Sequence, residues 1–297
     1  KVASLRGVGE KVLYLCPTMR RMILLLTSLL MLLPSWSKDD HRYRNITMND
    51  GLAANAVRNI VQDKYGFMWF GTDNGLCRYD GVLVQTYRIA ELGMNQYISS
   101  LLSYEGDTYA GTENGVYRLR REAGATEMQF THLPMDIHSV VTHLSVDKEG
   151  NLWIATREDG VWRYAIKTGQ SRQYLEKTDY HGFSHVLVDN ANQIWTITNW
   201  GEPAILRLNR LHDRFEPVNI NYNGYYGGLQ MLQTRDGQIW IGSWEDGLLL
   251  MHSDGQLEQV LNPVLTNAGN HIHALFQRSD DCLCIGCDDG VICLNPK

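Results

Sequence analysis

Three thiols crowd into residues 282–287, Cys-Leu-Cys-Ile-Gly-Cys, and thiolates are ligands that zinc-class metals favour. The spacing is C-x-C-x-x-C, and no histidine is placed to complete a zinc site. On a strand Cys282 and Cys284 would share one side, while Cys287 would fall beyond the following turn. These cysteines therefore read as small buried apolar residues, and no metal is expected. With Cys77 and Cys293 they make five in the chain beyond Cys16, an odd number without a disulfide framework. His138, His143, His181, His185, His271 and His273 could serve as acids or bases if a carboxylate stood beside one of them. Each reads first as a polar core or loop residue. No His-Glu-x-x-His, Gly-x-Ser-x-Gly or phosphate-cradling glycine loop occurs.

What positions these groups is a repeat. The segment "QDKYGFMWFGTDNGLCRYDG" (62–81) has counterparts beginning near residues 104, 147, 189, 235 and 279. Its aromatic falls at Trp69, Tyr109, Trp153, Trp195 and Trp240, and Cys284 stands in the sixth copy. A period of roughly 40–45 residues with short alternating segments indicates a propeller. Within one unit, residues 56–63 alternate apolar and polar, as a strand requires. Gly66 turns the chain into a second strand in which Phe67, Trp69 and Gly71 face one way and Met68 and Phe70 the other. Apolar residues on both faces suit a strand packed between neighbouring sheets. Asp73-Asn74-Gly75 makes the next turn, and "LCRYDG" and "VLVQTYR" complete four antiparallel strands. The tryptophan would fill the gap between blades, and Gly71, Gly111 and Gly242 would let a neighbouring backbone pass close. The predicted fold is all-β: a propeller of four-stranded antiparallel blades, with six repeats visible as part of a seven-bladed ring. An outer strand from residues 41–48 closing a six-bladed ring is the alternative.

Composition agrees with this fold. The chain of 297 residues has 27 Gly and only 7 Pro, with 8 Trp and 15 Tyr, as many short strands joined by tight turns would need. A net charge of −6 presents no basic face for nucleic acid. At the start, Met19-Arg20-Arg21 leads into the apolar run "MILLLTSLLMLL" and then Ser35 and Ser37, the pattern of a signal peptide over 19–37. Residues 1–18 read as translation upstream of a start at Met19, and 38–297 as an exported, periplasmic propeller.

Turns between second and third strands should share one end of a propeller with the segments leading into each first strand. At that end aromatic rings could stack on pyranose faces, while carboxylates and amides take the hydroxyls. Trp200, Trp244, Tyr225 and Tyr226 concentrate in units four and five, where the repeat is most irregular. With Arg157, Asp159, Glu245 and His181 they are the expected ligand-binding residues. Asp-Gly and Asn-Gly are also simply good turns, so the acidic positions have a structural reading as well.

Residues 43–81, with "DGL" before the first strand and "D-x-x-G-x-x-W-x-G-T-x-x-G-L-x-R-Y-D" after it, resemble the two-component regulator propeller repeat. The resemblance extends over about residues 41–297. Units three and five match well, units two and six are degenerate at the aromatic, and unit four carries Asn192 for the turn glycine. It implies the periplasmic sensor of a hybrid two-component regulator that detects an oligosaccharide and signals to a kinase elsewhere in the full-length protein. A second propeller, a membrane-linked kinase and a homodimer would be its partners. Such a module is not an enzyme and carries no cofactor. A sialidase is disfavoured, because "SVDKEGNLW" (145–153) has an Asp-to-Gly interval one residue longer than the aspartate box. A secreted streptogramin-lyase-like propeller is the closer rival and would need a paired His and carboxylate. A protein-interaction propeller is the third reading.

Overall fold

The computed structural model describes residues 44–121, 128–176, 180–200, 204–224, 226–261 and 271–295, without the side chains of His181, Asn199 and Trp200. The expected upstream segment and signal peptide, 1–18 and 19–37, lie outside them. The compact unit begins at Ile46.

Its strands form six antiparallel sheets. Blade 1 contains β1 (Val57–Gln62), β2 (Met68–Thr72), β3 (Gly75–Tyr79) and β4 (Val84–Tyr87). Blade 2 contains β5 (Ser100–Tyr104), β6 (Asp107–Thr112), β7 (Gly115–Arg120) and β8 (Gln129–His132). Blade 3 follows with β9 (Val141–Val146), β10 (Asn151–Thr156), β11 (Val161–Ala165) and β12 (Ser171–Tyr174). Blade 4 has β13 (His181–Val188), β14 (Ile194–Trp200), β15 (Ile205–Asn209) and β16 (Arg214–Pro217). Blade 5 has β17 (Gly228–Gln233), β18 (Ile239–Ser243), β19 (Leu248–Met251) and β20 (Leu257–Leu261). Blade 6 has three strands among the described residues: β21 (Ile272–Gln277), β22 (Leu283–Cys287) and β23 (Gly290–Leu294). First strands of successive blades lie side by side, from β1 to β21. The all-β propeller architecture is as the repeat predicts.

Residues 44–47 of the possible outer strand are not a strand, and Met48–Asp50 is a 3₁₀ turn. Thr47 and Asp50 form a capping box there, which favours the turn over extension. Ile46, Leu52 and Ala53 pack on blade 1 beside Phe70 and Cys77. Nearer the ring's interior the same face is open, for Ile60 is 55% exposed while its counterparts Leu101, Leu144, Val186 and Met231 are buried. The far face of blade 6 is open too, with Phe276 at 64%.

The "D-x-x-G-x-x-W" spacing has a hydrogen-bond explanation. Asp63 accepts from the backbone N–H of Tyr65 (2.9 Å) and Phe67 (3.0 Å) with one oxygen, and from Trp69 Nε1 (2.9 Å) with the other. Asp147 and Asp189 receive Trp153 Nε1 and Trp195 Nε1 at 2.8 and 2.9 Å. One carboxylate thus holds the hairpin and satisfies an indole that would otherwise be orphaned between blades. Blade 5 carries Thr234 at this position, and the buried Trp240 Nε1 has no hydrogen-bond partner among the described residues. The arginine of the repeat lies across the strand pair from the aromatic, so Arg78, Arg163 and Arg207 stand over Trp69, Trp153 and Trp195 at 5.9, 6.0 and 5.6 Å. Trp69, Tyr109, Trp153 and Trp240 are buried, and Trp195 is half-buried. The glycines are needed for approach. A Cβ on Gly71 would stand 2.9 Å from Ile98 Cγ2, and one on Gly111 2.6 Å from Val141 Cγ1.

Candidate functional site

The two expected sets of loops do meet at one end of the blades. Backbone bonds tie them together: Ile98 N to Thr72 O (3.0 Å), Arg157 N to Val140 O (2.9 Å), Gly182 N to Arg157 O (2.9 Å) and Trp244 N to Gly227 O (3.1 Å). A bulge near the start of the first strand in blades 1, 3, 4, 5 and 6, at the second residue in all but blade 4, where it falls at Ser184, re-aims one side chain toward this end. Ser99, just ahead of β5, and Thr142 and Ser184 at the bulges of blades 3 and 4 donate their hydroxyls to the carbonyls of Val141, Phe183 and Gly228 in the next blade. These are stitches between blades. Blades 1 and 6 place Arg58 and His273 at the bulge.

At blade 6 this produces the most chemically capable cluster of the loop end. His273 Nε2 lies 2.6 Å from Asp288 Oδ1, and His271 Nδ1 lies 2.7 Å from Asp288 Oδ2. Asp288 is the first residue of the turn between β22 and β23. The hydrogen bond from His273, aided by the nearby His271, holds its carboxyl below the usual range. Trp244, from the β18–β19 turn of blade 5, lies flat on His271 with ring centroids 3.9 Å apart and planes 28° apart, and meets His273 edge-on at 6.4 Å. It remains 39% exposed. Ser243 Oγ shapes that turn by accepting from the N–H of Glu245 (3.3 Å) and Asp246 (3.2 Å). Gly242 presses the blades together beneath it, since a Cβ there would meet Ile272 Cγ2 at 2.6 Å. Ile272 sits between the two histidines, so the tightest point of the interface sets their position.

Of the residues expected to bind ligand whose side chains are among those described, only Trp244 enters this cluster, with Glu245 exposed beside it in sequence. Tyr226 is half-buried against the cluster between blades 4 and 5, edge-on to Tyr222 at 6.4 Å. Tyr222 donates to Asp246 Oδ2 (3.0 Å), and burial together with that bond pushes its hydroxyl up to about 12. Arg157 is exposed on the β10–β11 turn, while Asp159 accepts from the N–H of His138 at 2.6 Å. Trp200 and His181 pair through their backbones at the ends of β14 and β13, and their side chains lie outside the described residues, as does Tyr225. The sequence singles out His271 only as one of six histidines and does not couple it to Asp288. The available signal was a His-x-His across the start of a first strand, with an acid opening the next second-to-third-strand turn.

His143 and His185, on neighbouring first strands, are stacked at 3.5 Å, His185 buried and His143 half-buried, and desolvation drives both toward the neutral form, His143 to about 4. They are polar core residues. The thiols depart from expectation. Cys287 ends β22 rather than lying beyond the turn, Cys282, Cys284 and Cys287 are half-buried rather than buried, and Cys293 stands across the strand pair from Cys284 with the two sulfurs 3.6 Å apart. They occupy the positions that elsewhere hold the aromatic and the arginine, and Cys293 is exposed rather than buried because it faces outward from the last described blade. At the opposite end of blades 4 and 5 lies a cleft of about 520 Å³, lined by Arg207, Arg210, Glu216 and Asp254 among others. It offers no exposed aromatic platform.

With this geometry in view, comparison with known proteins is informative. Residues 51–74 and 136–158 match the family described as two component regulator propeller, so the chain carries repeats of that kind. No curated protein sequence matches it. Among solved structures it resembles the extracellular domain of a protein from B. thetaiotaomicron described as a one component system, at 21% identity and a TM-score of 0.71, covering 85% of this chain and 33% of the other. The extracellular domain of a hybrid two component system from the same organism gives 20%, 0.70, 85% and 35%. A catalytically inactive histidine-to-alanine variant of virginiamycin B lyase from Staphylococcus aureus, solved with quinupristin, gives 16%, 0.64, 82% and 80%. These likenesses establish the propeller fold. The chain spans about a third of the extracellular domains it matches. No helix among the described residues is long and apolar enough to cross a membrane.

Proposed function

We propose that the chain is the ligand-sensing propeller of a hybrid two-component regulator, exported to the periplasm and recognising an oligosaccharide at the Trp244 end of blades 5 and 6. The observation that carries this is the exposed Trp244 ring, held flat by His271 beside the carboxylate of Asp288. A rigid aromatic plate bordered by directional polar groups fits a pyranose ring, whose faces are apolar and whose rim is hydroxylated. The module has no catalysis of its own and signals to a kinase in the rest of the protein. It belongs to a seven-bladed ring, a reading that the uncovered Ile60 and Phe276 support. Calorimetric titration of the intact extracellular region with oligosaccharide mixtures should give a saturating isotherm, weakened about 10-fold or more by Trp244→Ala. An isotherm unchanged by that substitution overturns the placement.

A secreted propeller lyase is the second reading, favoured by the His273–Asp288 pair and by the matching length of the lyase above. Sustained heat that scales with protein concentration would select it over the sensor.

A further inference from the structure

We infer that His271, His273 and Asp288 form a binding site for a divalent transition metal of the zinc class, a site that goes beyond the sensing reading and does not depend on it. Their ligand atoms, two imidazole nitrogens and a carboxylate oxygen, all lie within 4.8 Å of one another. Two nitrogens and one oxygen suit Zn²⁺, Co²⁺ or Ni²⁺; Mg²⁺ and Ca²⁺ prefer oxygen sets. Three protein ligands leave a coordination position open, as in zinc sites that bind an exchangeable group.

The set is held by the fold rather than by the metal. Ile272, pinned by Gly242, fixes the backbone between the histidines, the bulge turns His273 toward the loop end, and Trp244 holds the plane of His271. Both imidazoles already direct the ligating nitrogen at the carboxylate, His271 by Nδ1 and His273 by Nε2. Ligand atoms around zinc stand about 3.3 Å apart, so the Asp288 carboxylate would withdraw from its present hydrogen bonds while the two imidazole nitrogens, each now on a different oxygen, draw together around the ion. Each imidazole moves its proton to the distal nitrogen by exchange with water and offers the freed lone pair. All three groups are partly exposed, so an ion can reach them. Arg58 and Asp73 of blade 1 occupy the places of His273 and Asp288, but a guanidinium has no lone pair to give.

Cys282, Cys284 and Cys293 are a second group with ligand spacing, on the outer face of blade 6. The experiment must tell the two apart. The full chain carrying Cys284→Ser and Cys293→Ser would be titrated with Co²⁺ under visible and near-ultraviolet absorption and with Zn²⁺ by calorimetry. One equivalent should bind, with visible ligand-field bands and no thiolate charge-transfer band. His273→Ala or Asp288→Asn, with thermal melts confirming an intact fold, should each weaken binding about 100-fold or more. Oligosaccharide titrations with and without chelator would report the sensing reading separately. Loss of the ion in the Cys284→Ser, Cys293→Ser background, or binding unchanged by His273→Ala and Asp288→Asn, overturns the site.

Discussion

Blades 1 and 6 solve the same local problem with different residues. In each, the bulged second residue of the first strand reaches the acid that opens the turn between second and third strands. In blade 1, Arg58 Nε and Nη2 engage Asp73 at 2.6 and 3.0 Å, and both carboxylate oxygens are taken by one guanidinium. In blade 6 two imidazoles share Asp288, one oxygen each, and Trp244 covers one of them. The first is a closed, exposed ion pair worth under about 1 kcal/mol. The second is a set of lone-pair donors around a carboxylate beside an exposed ring. The repeat therefore supplies position, and the residue at the bulge decides whether that position is a tether or a site.

Exchanging those residues gives the strongest test. His273→Arg should rebuild the blade 1 pair in blade 6 and abolish Co²⁺ binding, an effect of about 100-fold or more, while leaving the melting curve nearly unchanged. Ala56→His with Arg58→His should transplant two imidazoles beside Asp73 and create a second ion-binding stoichiometry. If the transplant binds nothing, the clamp of Trp244 on His271 is the decisive difference between the blades.

A smaller effect separates the loop-end imidazoles from the stacked pair on the first strands. His143 is held neutral by burial, with a folded value of about 4 against an unfolded value near 6.5. The unfolded chain therefore binds more protons than the folded one between these values, and stability falls as pH drops through 6.5 toward 4. His143 alone should remove about 2 kcal/mol between pH 7.5 and 5, and stacked His185 adds in the same direction. Urea melts across that range check it. His143→Phe, which keeps a ring in the stack, should flatten the dependence, whereas the loop-end His271 and His273 should leave it in place when replaced. A profile unchanged by His143→Phe would assign the loss to other groups.

The smallest expected effect concerns blade 5, whose Trp240 lacks the carboxylate that serves Trp69, Trp153 and Trp195. Thr234→Asp should supply it and raise stability by about 1 kcal/mol, read from the denaturation midpoint. A loss instead would mean that Thr234 Oγ1, which accepts no indole but bonds Asp236 and Gln238, is the better partner for this turn.

Much of the architecture was legible in the chain because it is built from local rules repeated at one period. The alternation of β1, the glycine turns and the aromatic at each second strand all depend on neighbours within a few residues, so periodicity exposes them. Even the closed face of each blade follows, since Gly71 and Trp69 must both point at the next unit. The loop end was legible as a region and not as a site. Trp244 was picked out as an aromatic in an irregular turn, whereas His271 and Asp288, fifteen and more residues apart, meet only after a hairpin closes and a bulge swings His273 outward. The cysteines show the same limit: spacing along the chain put only Cys282 on one side with Cys284, but strand register set Cys293 beside it. By itself the sequence determined the repeat, the blade and the end of the propeller where side chains are free to vary, because those are consequences of period and turn chemistry. Only the tertiary structure decided which side chains converge there, because convergence depends on register, a bulge and the van der Waals contact of Gly242 with Ile272, none of which has a one-dimensional signature.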